Sequence, residues 1–405
     1  MTRFIERDYS RTAQDALIQE GFAPALARAL AARGVVSAAE LKADWRSMLA
    51  PGSLPGANDA ARLLANAIED KKRIMIIADY DCDGATACAV AIRGLRAMGA
   101  QVDYLVPDRF VYGYGLTPAI VDLASTHKPD ILLTVDNGMA SIDGVARAKA
   151  LGIETIITDH HLPADQLPQA ACIVNPNAPG CVFGSKNLAG VGVMFYVLMA
   201  LRAEMRARGH FDVKTQPRLD ELVDLVALGT VADVVKLDHN NRILVTQGLN
   251  RIRAGHINPG LRALLEIAGR PCVKARVQDF GFAIAPRINA AGRLDVMTTG
   301  IECLISDTDD RARELARELE DFNRQRRELE VDMQWDAAMI LNRIDVTKRH
   351  TLSLFEPGWH QGIVGLVASR IKESKHRPTI AFAQADPGEL KGSGRSIDGV
   401  HLRDM

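Results

Sequence analysis

Three aspartates at alternate positions are the residues whose spacing first indicates chemistry. Asp79, Asp81 and Asp83 follow an apolar run at 74–78 and precede Gly84, which permits a sharp turn. Three carboxylates crowded at the end of a strand repel one another, and a fold tolerates them when a cation neutralises their charge. The alternative interpretation is a solvated acidic turn. The stretch therefore indicates a site for a divalent metal ion.

Three more apolar runs end in Asp or His. They are 131–135, which ends at Asp136; 156–158, which ends at Asp159, His160 and His161; and 225–232, which ends at Asp233. A single Asp after a strand is usually a cap or turn residue, and a single His is usually structural. Four such ends together make that interpretation weak. Because ligands bind beyond the carboxyl ends of parallel strands, we expect all four ends to meet at one edge of one sheet.

The donor atoms of this set are mostly carboxylate oxygens with some imidazole nitrogens. Such a set favours Mg²⁺ or Mn²⁺ over a thiolate-bound zinc ion. The carboxylates exceed the need of one ion, so we expect two ions that share a bridging carboxylate. Two ions about 3.5–4 Å apart activate water and stabilise charge on phosphate oxygens, which suits phosphoester hydrolysis. The chain has neither a Walker loop nor a Gly-x-Gly-x-x-Gly motif after a strand, which disfavours a triphosphatase of that type and a dinucleotide oxidoreductase.

Alternating strands and helices must position these side chains. Strands are predicted at 74–78, 102–106, 131–135, 155–158 and 171–174, and helices at 86–98, 120–125 and 142–151. Short apolar strands between helices indicate an α/β fold with a parallel sheet and helices on both faces. Before the sheet we expect short helices, with Ser37 as an N-cap and Glu40 completing a capping box. After it, a long helix from about 307 to 343 connects to a second α/β part of the chain.

The composition is that of a globular protein with reduced thiols. The 405 residues are 47% hydrophobic and 24% charged, and the net charge is −1, so no global field indicates nucleic acid, although a local basic groove can still bind a polyanion. The six cysteines form no Cys-x-x-Cys pair, which fits the cytoplasm better than a disulfide framework. The chain begins with charged residues rather than an apolar signal segment, and no apolar stretch is long enough to span a bilayer, so we expect no membrane association.

Four motifs of the chain resemble those of a known family. They are Asp79-Tyr80-Asp81-Cys82-Asp83-Gly84, Asp136-Asn137-Gly138, Asp159-His160-His161 and Gly229-Thr230-Val231-Ala232-Asp233. In this order they resemble the motifs of the DHH phosphoesterase superfamily, and the chain is most similar to its RecJ family of bacterial 5′→3′ exonucleases for single-stranded DNA. The likeness runs from about residue 70 to the end and includes the segments 175–177, 188–192 and 286–293.

The resemblance implies four parts of the chain and a role for each acid and imidazole of the motifs. The parts are an N-terminal helical segment at 1–66, a DHH domain at 67–305, a connecting helix at 306–345 and a partial DHHA1 domain at 346–405. Two Mn²⁺ or Mg²⁺ ions would be held as follows: Asp136 bridging both, Asp81 on one with Asp79 nearby, and Asp83, His160 and Asp233 on the other. His161 would contact the scissile phosphate. The pyrophosphatase branch carries a His at the position of Ile77, and Asp79 is the candidate to replace it.

The same resemblance implies residues that bind the nucleic acid. Arg109, after the second predicted strand, would grip a 5′-phosphate, although a surface ion pair explains an Arg there equally well. The remaining substrate-binding residues would be Arg287, Asn289 and Arg293 in the first domain, and His360, Arg370, Ser393 and Arg395 in the second.

The expected function is that of a metal-dependent 5′→3′ exonuclease that hydrolyses single-stranded DNA to mononucleotides in DNA repair and recombination. Single-stranded DNA, a single-strand-binding protein and a helicase are the expected partners. The alternatives are a phosphodiesterase of the same superfamily acting on oligonucleotides, cyclic dinucleotides or polyphosphate, and an inactive DNA-binding scaffold. RecJ-like chains continue with a Gly-Gly-His motif and an OB-fold, neither of which stands in this sequence. We therefore expect weak, salt-sensitive DNA binding.

Overall fold

A five-stranded parallel sheet forms the centre of the computed structural model, which describes residues 6–385 and 387–402. The strands are β1 (Arg73–Ala78), β2 (Gln101–Leu105), β3 (Ile131–Val135), β4 (Glu154–Thr158) and β5 (Cys172–Val174), in the spatial order β2-β1-β3-β4-β5. The chain runs from β1 outward to β2 and then returns past β1 to β3. The predicted parallel α/β sheet is confirmed, and its direction switches between β1 and β3, where such sheets bind ligands.

Helices cover both faces of this sheet. One layer contains α3 (Ala57–Glu69), α4 (Cys82–Ala97), α8 (Gly190–Ala207) and α9 (Val223–Ala232), and the other contains α6 (Pro118–Ser125) and α7 (Ile142–Ala150). Alternate residues of a strand point to opposite faces. Accordingly, Ile74 and Ile76 belong to the core of the first layer, and Met75 and Ile77 to that of the second. The short helix α5 (Arg109–Tyr112) follows β2.

The apolar run at 225–232, which we expected to end at the edge of the sheet like a strand, is instead part of the helix α9. A short apolar run does not distinguish a buried strand from a buried helix, since its periodicity is uninformative. Here the segment is apolar all around because it packs between α4, α8 and α10 (His239–Arg253), and eight of its ten residues are buried. Asp233 is consequently the C-cap of a helix, rather than the residue after a strand.

The N-terminal helices are α1 (Arg11–Gln19) and α2 (Pro24–Ala31), which share a small core of their own. The predicted capping box at Ser37 and Glu40 is wrong. Residues Ala38–Leu41 form a single 3₁₀ turn, and the Ser37 side chain makes no capping hydrogen bond. The carboxylate of Glu20 accepts the hydrogen bond from the N–H of Ala38, and Glu40 pairs with Arg242 at 3.3 Å. The Glu40 carboxylate and the first N–H of the turn therefore have partners distant in sequence.

A long helix, α15 (Asp309–Leu341), leads from the first domain to a smaller second one, as predicted. Before it come α11 (Pro259–Ile267), α12 (Val277–Asp279), α13 (Ala285–Leu294) and α14 (Thr298–Ile305). The second domain has three strands, β6 (Leu352–Phe355), β7 (Thr379–Gln384) and β8 (Leu390–Arg395), with α16 (Val364–Lys375) between the first two. β6 and β7 are parallel and β8 is antiparallel to β7. Among the described residues, none forms a helix long and apolar enough to cross a membrane.

Candidate metal centre and phosphate-binding cleft

The carboxyl ends of β1, β3 and β4 and the end of α9 bring the predicted metal ligands together. Three groups have ligand atoms within 4.8 Å of one another: Asp83, His160 and Asp233; Asp79, Asp81 and Asp136; and Asp136, His160 and His161. We call the six side chains of the first two groups the metal centre. Asp136 belongs to two groups, and its Oδ1 lies 3.2 Å from Nε2 of His160. This central position fits a carboxylate that two ions share.

The turn after β1 orients its acids through backbone hydrogen bonds. Asp81 is the N-cap of α4, and its carboxylate accepts hydrogen bonds from the N–H groups of Asp83 at 2.9 Å and Gly84 at 3.0 Å. Glycine is required at position 84, because a Cβ there would lie 2.6 Å from the carbonyl oxygen of Asp79. The side chain of Asn289 accepts the N–H of the residue after Asp81 at 2.7 Å. Asn289 thus supports the acidic turn.

Asp136 has a strained backbone that its neighbour holds in place. Its φ is +62°, a left-handed conformation that costs a non-glycine residue about 1–2 kcal/mol. The side-chain amide of Asn137 donates to the carbonyl oxygens of Ile77 and Val135, both at 3.0 Å, and so fixes the turn against β1 and β3. Strain of this kind is typical of functional sites, where the surrounding structure over-determines one conformation.

Asp83 lies at the N-terminus of α8. Its carboxylate, which is completely buried, accepts hydrogen bonds from the N–H groups of Gly190 at 2.6 Å and Val191 at 3.0 Å. The positive end of the helix dipole favours a carboxylate at this place. The remaining lone pairs face His160, whose Nε2 lies 3.9 Å from Asp83 Oδ2. Asp83 can therefore contribute charge and lone pairs to a cation while the helix fixes its position.

The electrostatics of the metal centre fit divalent cations. Four of its buried polar atoms have no hydrogen-bond partner: Oδ1 of Asp79 and of Asp136, Nε2 of His160 and Oδ2 of Asp233. Burial, with the charge of Asp81, raises the pKa of Asp79 and of Asp233 to about 7. Burial and neighbouring carboxylates also raise the pKa of Asp136 well above its ordinary value. Burial lowers the pKa of His160 to about 4, so its imidazole is neutral and has a lone pair for a metal.

Ile77, at the position where some relatives of the superfamily have a His, packs in the apolar core of the α6 and α7 layer. The carboxylate of Asp79 belongs to the same ligand group as Asp81 and Asp136, and it accepts a hydrogen bond from the Tyr114 hydroxyl at 3.2 Å. This geometry favours Asp79 as the replacement ligand.

His161 is oriented by Asp159. Its Nδ1 lies 2.7 Å from Asp159 Oδ1, and that hydrogen bond is the main reason why the pKa of His161 rises to about 9. Although burial opposes it, the same bond and the charge of His161 hold the pKa of Asp159 below its ordinary value. Asn175 and Asn177 donate to the carbonyl oxygens of His161 at 2.9 Å and His160 at 2.6 Å, which fixes the loop. Asp159 thus fixes the orientation of His161 and favours its protonated form.

A cavity of about 760 Å³ opens beside the metal centre, between the two domains, and we call it the cleft. Its polar lining contains Asp79 and Asp81 together with Arg109, Arg293, Ser393 and Arg395. Arg293 donates to the carbonyl oxygen of Gly362 in the second domain at 3.2 Å. Burial, with the nearby Arg109, Arg326 and Arg395, lowers the pKa of Arg293 to about 10, so it stays charged at neutral pH. A concentration of positive charge suited to a phosphate therefore lies next to a metal site.

Four predicted substrate-binding residues do not line the cleft. Arg287 is buried, with Nε 2.5 Å from the carboxylate of Glu320, and Asn289 supports the acidic turn. Arg370 is more than half exposed and pairs with Glu330 at 3.2 Å. His360 lies next to the cleft wall, where its ring meets Phe110 edge-on at 6.0 Å.

Three residues with clear positions in the site were absent from the predicted set, namely Asn137, Asp159 and Gly190. Each stands inside a segment whose resemblance was noted, so a signal was present. Their contacts, however, depend on partners that the sequence does not place beside them. Gly190 is an example. It lies far along the chain from Asp83 and Asp136, yet its N–H donates to the Asp83 carboxylate and its Cα lies next to the Asp136 side chain.

Comparisons with known proteins agree with this geometry. Residues 73–230 match the DHH family, N-terminal domain, and residues 347–405 match the DHHA1 domain. The chain is 52% identical over 387 residues to the single-stranded-DNA-specific exonuclease RecJ of Salmonella typhimurium and 51% identical over 388 residues to that of Escherichia coli. In both comparisons the match covers 94% of this chain and 67% of the relative's length.

Solved structures show the same likeness. A crystal structure of exonuclease RecJ bound to manganese matches with a TM-score of 0.76 and 36% identity, over 88% of this chain and 86% of that one. The crystal structure of RecJ from Thermus thermophilus in complex with Mg²⁺ matches with a TM-score of 0.73 and 30% identity, over 97% of this chain and 52% of that one.

Proposed function

The chain belongs to the RecJ family of single-stranded-DNA-specific exonucleases, and from that membership we propose that it hydrolyses single-stranded DNA from the 5′ end to mononucleotides. The observation that carries the proposal is the juxtaposition of a carboxylate-rich metal centre with an arginine-lined cleft between two domains. Hydrolysis of a phosphodiester needs both features, because the metal centre would hold the scissile phosphate and the cleft would hold the rest of the nucleotide.

The residues of the metal centre would hold two Mn²⁺ or Mg²⁺ ions, with Asp136 shared between them. Bound ions of this kind activate water and neutralise charge that develops on the phosphate oxygens. His161, held as a cation by Asp159, contributes positive charge at the scissile phosphate. Its orientation is fixed before substrate arrives, so none of its hydrogen-bonding has to reorganise during the reaction.

The cleft would bind the 5′-terminal phosphate. Arg109, Arg293 and Arg395 bring three guanidinium groups to it, and Ser393 adds a hydroxyl group that accepts a hydrogen bond from Arg395 at 3.0 Å. Guanidinium groups suit phosphate because they donate two parallel hydrogen bonds. A terminal phosphate held here beside the metal centre places the next phosphodiester at the reacting position, so each cycle releases one nucleotide. Asn289, His360 and Arg370 would support these residues from outside the cleft, and Arg287 would act only through its ion pair with Glu320.

We further propose the division of labour implied by the four parts of the chain. The domain at 67–305 carries the metal centre, the helix at 306–345 sets the spacing, and the domain at 346–405 closes the cleft, with the segment at 1–66 as a support. The six cysteines form no disulfide, which is compatible with the cytoplasm. A single-strand-binding protein and a helicase are the partners that such an activity requires to obtain its substrate.

The test is digestion of long single strands that carry a labelled 5′-phosphate, in the presence of Mn²⁺. We expect labelled mononucleotide as the first product, faster cleavage of 5′-phosphorylated than of 5′-hydroxyl strands, and no cleavage by Asp136→Ala. Arg109→Ala should reduce the preference for the phosphorylated strand about ten- to hundredfold, because a hydrogen-bonded charge contributes about 1.5–3 kcal/mol. Arg46→Ala, at an exposed surface arginine, is the matched control.

Two outcomes would contradict the proposal. Cleavage of dinucleotides without attack on long strands would show a phosphodiesterase for short substrates. Binding of single strands without any cleavage would show an inactive scaffold, a result that the unpartnered ligand atoms of the metal centre oppose.

A further inference from the structure

We propose that Tyr80 is a positioning residue that fixes the phosphate-binding Arg109 at a set distance from the metal centre. The inference rests on the proposed function, because it assigns a role relative to a 5′-phosphate held in the cleft. Tyr80 stands between two acids of the metal centre, Asp79 and Asp81, and its side chain is only 5% exposed. A rigid side chain at this place can fix the distance between the acids and Arg109.

The backbone of Tyr80 is fixed with the metal centre. Its two chain neighbours are the acids themselves, and Asp81 caps α4. Gly292 of α13 packs directly on the Tyr80 carbonyl group, so closely that a Cβ at position 292 would collide with its oxygen. Movement of Tyr80 would therefore require movement of the acidic turn and of α13 together.

The side chain of Tyr80 holds the segment that carries Arg109. Its hydroxyl group donates to the carbonyl oxygen of Gly113 at 2.6 Å. The Arg109 guanidinium carbon lies 5.8 Å from the centre of the Tyr80 ring and 6.0 Å from the centre of the Phe110 ring, which is the range of cation–π contacts. One aromatic side chain thus contacts the arginine through its ring and anchors the end of α5 through its hydroxyl group.

The segment needs such an anchor because its own bonds are few. Gly113 and Gly115 both have positive φ, and α5 is a single helical turn, begun by an Asp108 side chain that accepts the N–H of Phe110. From the second domain, Lys391 donates to the Phe110 carbonyl oxygen at 2.9 Å. The Tyr80 hydroxyl bond ties the same segment to the first domain. The Tyr114 hydroxyl also ties the segment to Asp79, but through a longer hydrogen bond of 3.2 Å, so loss of the Tyr80 bond loosens Arg109 from the metal centre.

The consequence is specific to the terminal phosphate. A strand with a 5′-phosphate uses Arg109 and the metal centre at once, and it is sensitive to their separation. A strand with a 5′-hydroxyl group lacks the phosphate that Arg109 would grip. A purely structural role of Tyr80 would affect both strands to the same degree, whereas a positioning role affects the phosphorylated strand more.

The experiment measures kcat/KM of Tyr80→Phe on both strands with Mn²⁺. Phenylalanine keeps the ring and removes the hydroxyl group. We expect the preference for the phosphorylated strand to fall about fivefold, mainly through a higher KM, because one buried hydrogen bond contributes about 1 kcal/mol. Mn²⁺ affinity, measured by calorimetry, should stay unchanged. The matched control is Tyr104→Phe, which removes a 2.5 Å hydrogen bond to Glu302 outside the cleft and should leave the preference unchanged.

The possible failures can be told apart. A wild-type protein that does not digest single strands, or that is indifferent to the 5′-phosphate, overturns the proposed function and the role of Tyr80 together. If Arg109→Ala removes the preference but Tyr80→Phe retains it, only the role of Tyr80 is wrong. An equal loss on both strands, or a loss of Mn²⁺ affinity in Tyr80→Phe, also overturns it, because the residue would then support the metal centre alone.

Discussion

Replacing Gly190 by alanine adds one methyl group against Asp136, the proposed shared ligand of the metal centre. Gly190 is the first residue of α8, and its N–H donates to the Asp83 carboxylate at 2.6 Å. A Cβ at this position would lie 2.5 Å from Oδ1 and 2.6 Å from Cβ of Asp136. Ordinary contacts begin at 3.4 Å, so a gap of about 0.9 Å must open. We predict that this substitution damages metal binding although it removes no ligand.

Opening this gap costs free energy, because the backbone of Asp136 and the start of α8 are both held in place. On one side, Asp136 has a left-handed backbone that the Asn137 amide pins to two strands. On the other, the start of α8 is held by the hydrogen bonds to Asp83. Ligands must be held within about 0.5 Å of their working positions. Disturbing the support of a metal ligand typically costs about 10–100-fold in affinity, or about 1.4–2.8 kcal/mol.

The assay is calorimetric titration with Mn²⁺, together with the Mn²⁺ concentration that gives half-maximal cleavage. Gly192→Ala is the matched control on the same helix, because its Cβ would meet only the end of the Leu188 side chain, at 3.1 Å. We expect the dissociation constant for Mn²⁺ and the Mn²⁺ concentration for half-maximal cleavage to rise about 10–100-fold for Gly190→Ala. For Gly192→Ala we expect both to rise less than about twofold. Melting temperatures of both variants, measured without metal, will show whether Gly190→Ala folds. If the folded variant binds Mn²⁺ as tightly as the control, Asp136 is not a shared ligand held in place by this helix.

Three further predictions concern metal removal, pH and the ion pair between Arg287 and Glu320. In the metal-free protein the pKa values of Asp79 and Asp233 lie near 7, above the ordinary 3.8, so the folded state binds more protons than the unfolded chain and its stability falls as pH rises through that window. Mn²⁺ should therefore raise the melting temperature more at pH 7.5 than at pH 5.5, and equal gains would contradict this account. Asp159→Asn weakens the hydrogen bond and removes the charge that together raise the pKa of His161, so the loss of kcat/KM expected near pH 9 should move to lower pH; an unchanged profile would show that the His161 charge is not needed. Arg287→Met leaves the partly exposed carboxylate of Glu320 unpaired and should lower the free energy of unfolding by about 1–3 kcal/mol, measured by denaturant titration, while KM for single strands stays unchanged. A raised KM would indicate that Arg287 contacts the substrate, as the sequence predicted.

The sheet and its acidic edge follow from local sequence signals. The strand at 131–135 has the bounds that its apolar run predicts, and the polar residues after β1, β3 and β4 lie together because parallel strands end at one edge. The segment at 225–232 was assigned to the wrong element, because an apolar run carries no period from which to distinguish a buried helix. Asp233 nevertheless reaches the metal centre, since the end of a helix can deliver a side chain to the same place.

Side-chain partners from distant parts of the chain were not predictable in the same way. Arg287 and Arg293 stand on one short motif and on one helix, α13, yet the first is buried against Glu320 and the second lines the cleft. Six residues advance a helix by about 600°, which places the two arginines on different faces. Which face meets the cleft depends on where α15 and the second domain pack, and neither can be read from the motif.

The site holds a cluster of carboxylates next to a cluster of arginines, and the two clusters do not form ion pairs with each other. Within the described residues, the carboxylates of the metal centre make their ion contacts with imidazole, and none pairs with Arg109, Arg293 or Arg395. Collapse of these arginines onto the acids would gain Coulomb energy but would leave no charge for metal or phosphate. The aromatic face of Tyr80 under Arg109 and the carbonyl group of Gly362 at Arg293 give the guanidinium groups other partners. Such partners keep both clusters available, so that cations relieve the repulsion on one side and a phosphate relieves it on the other.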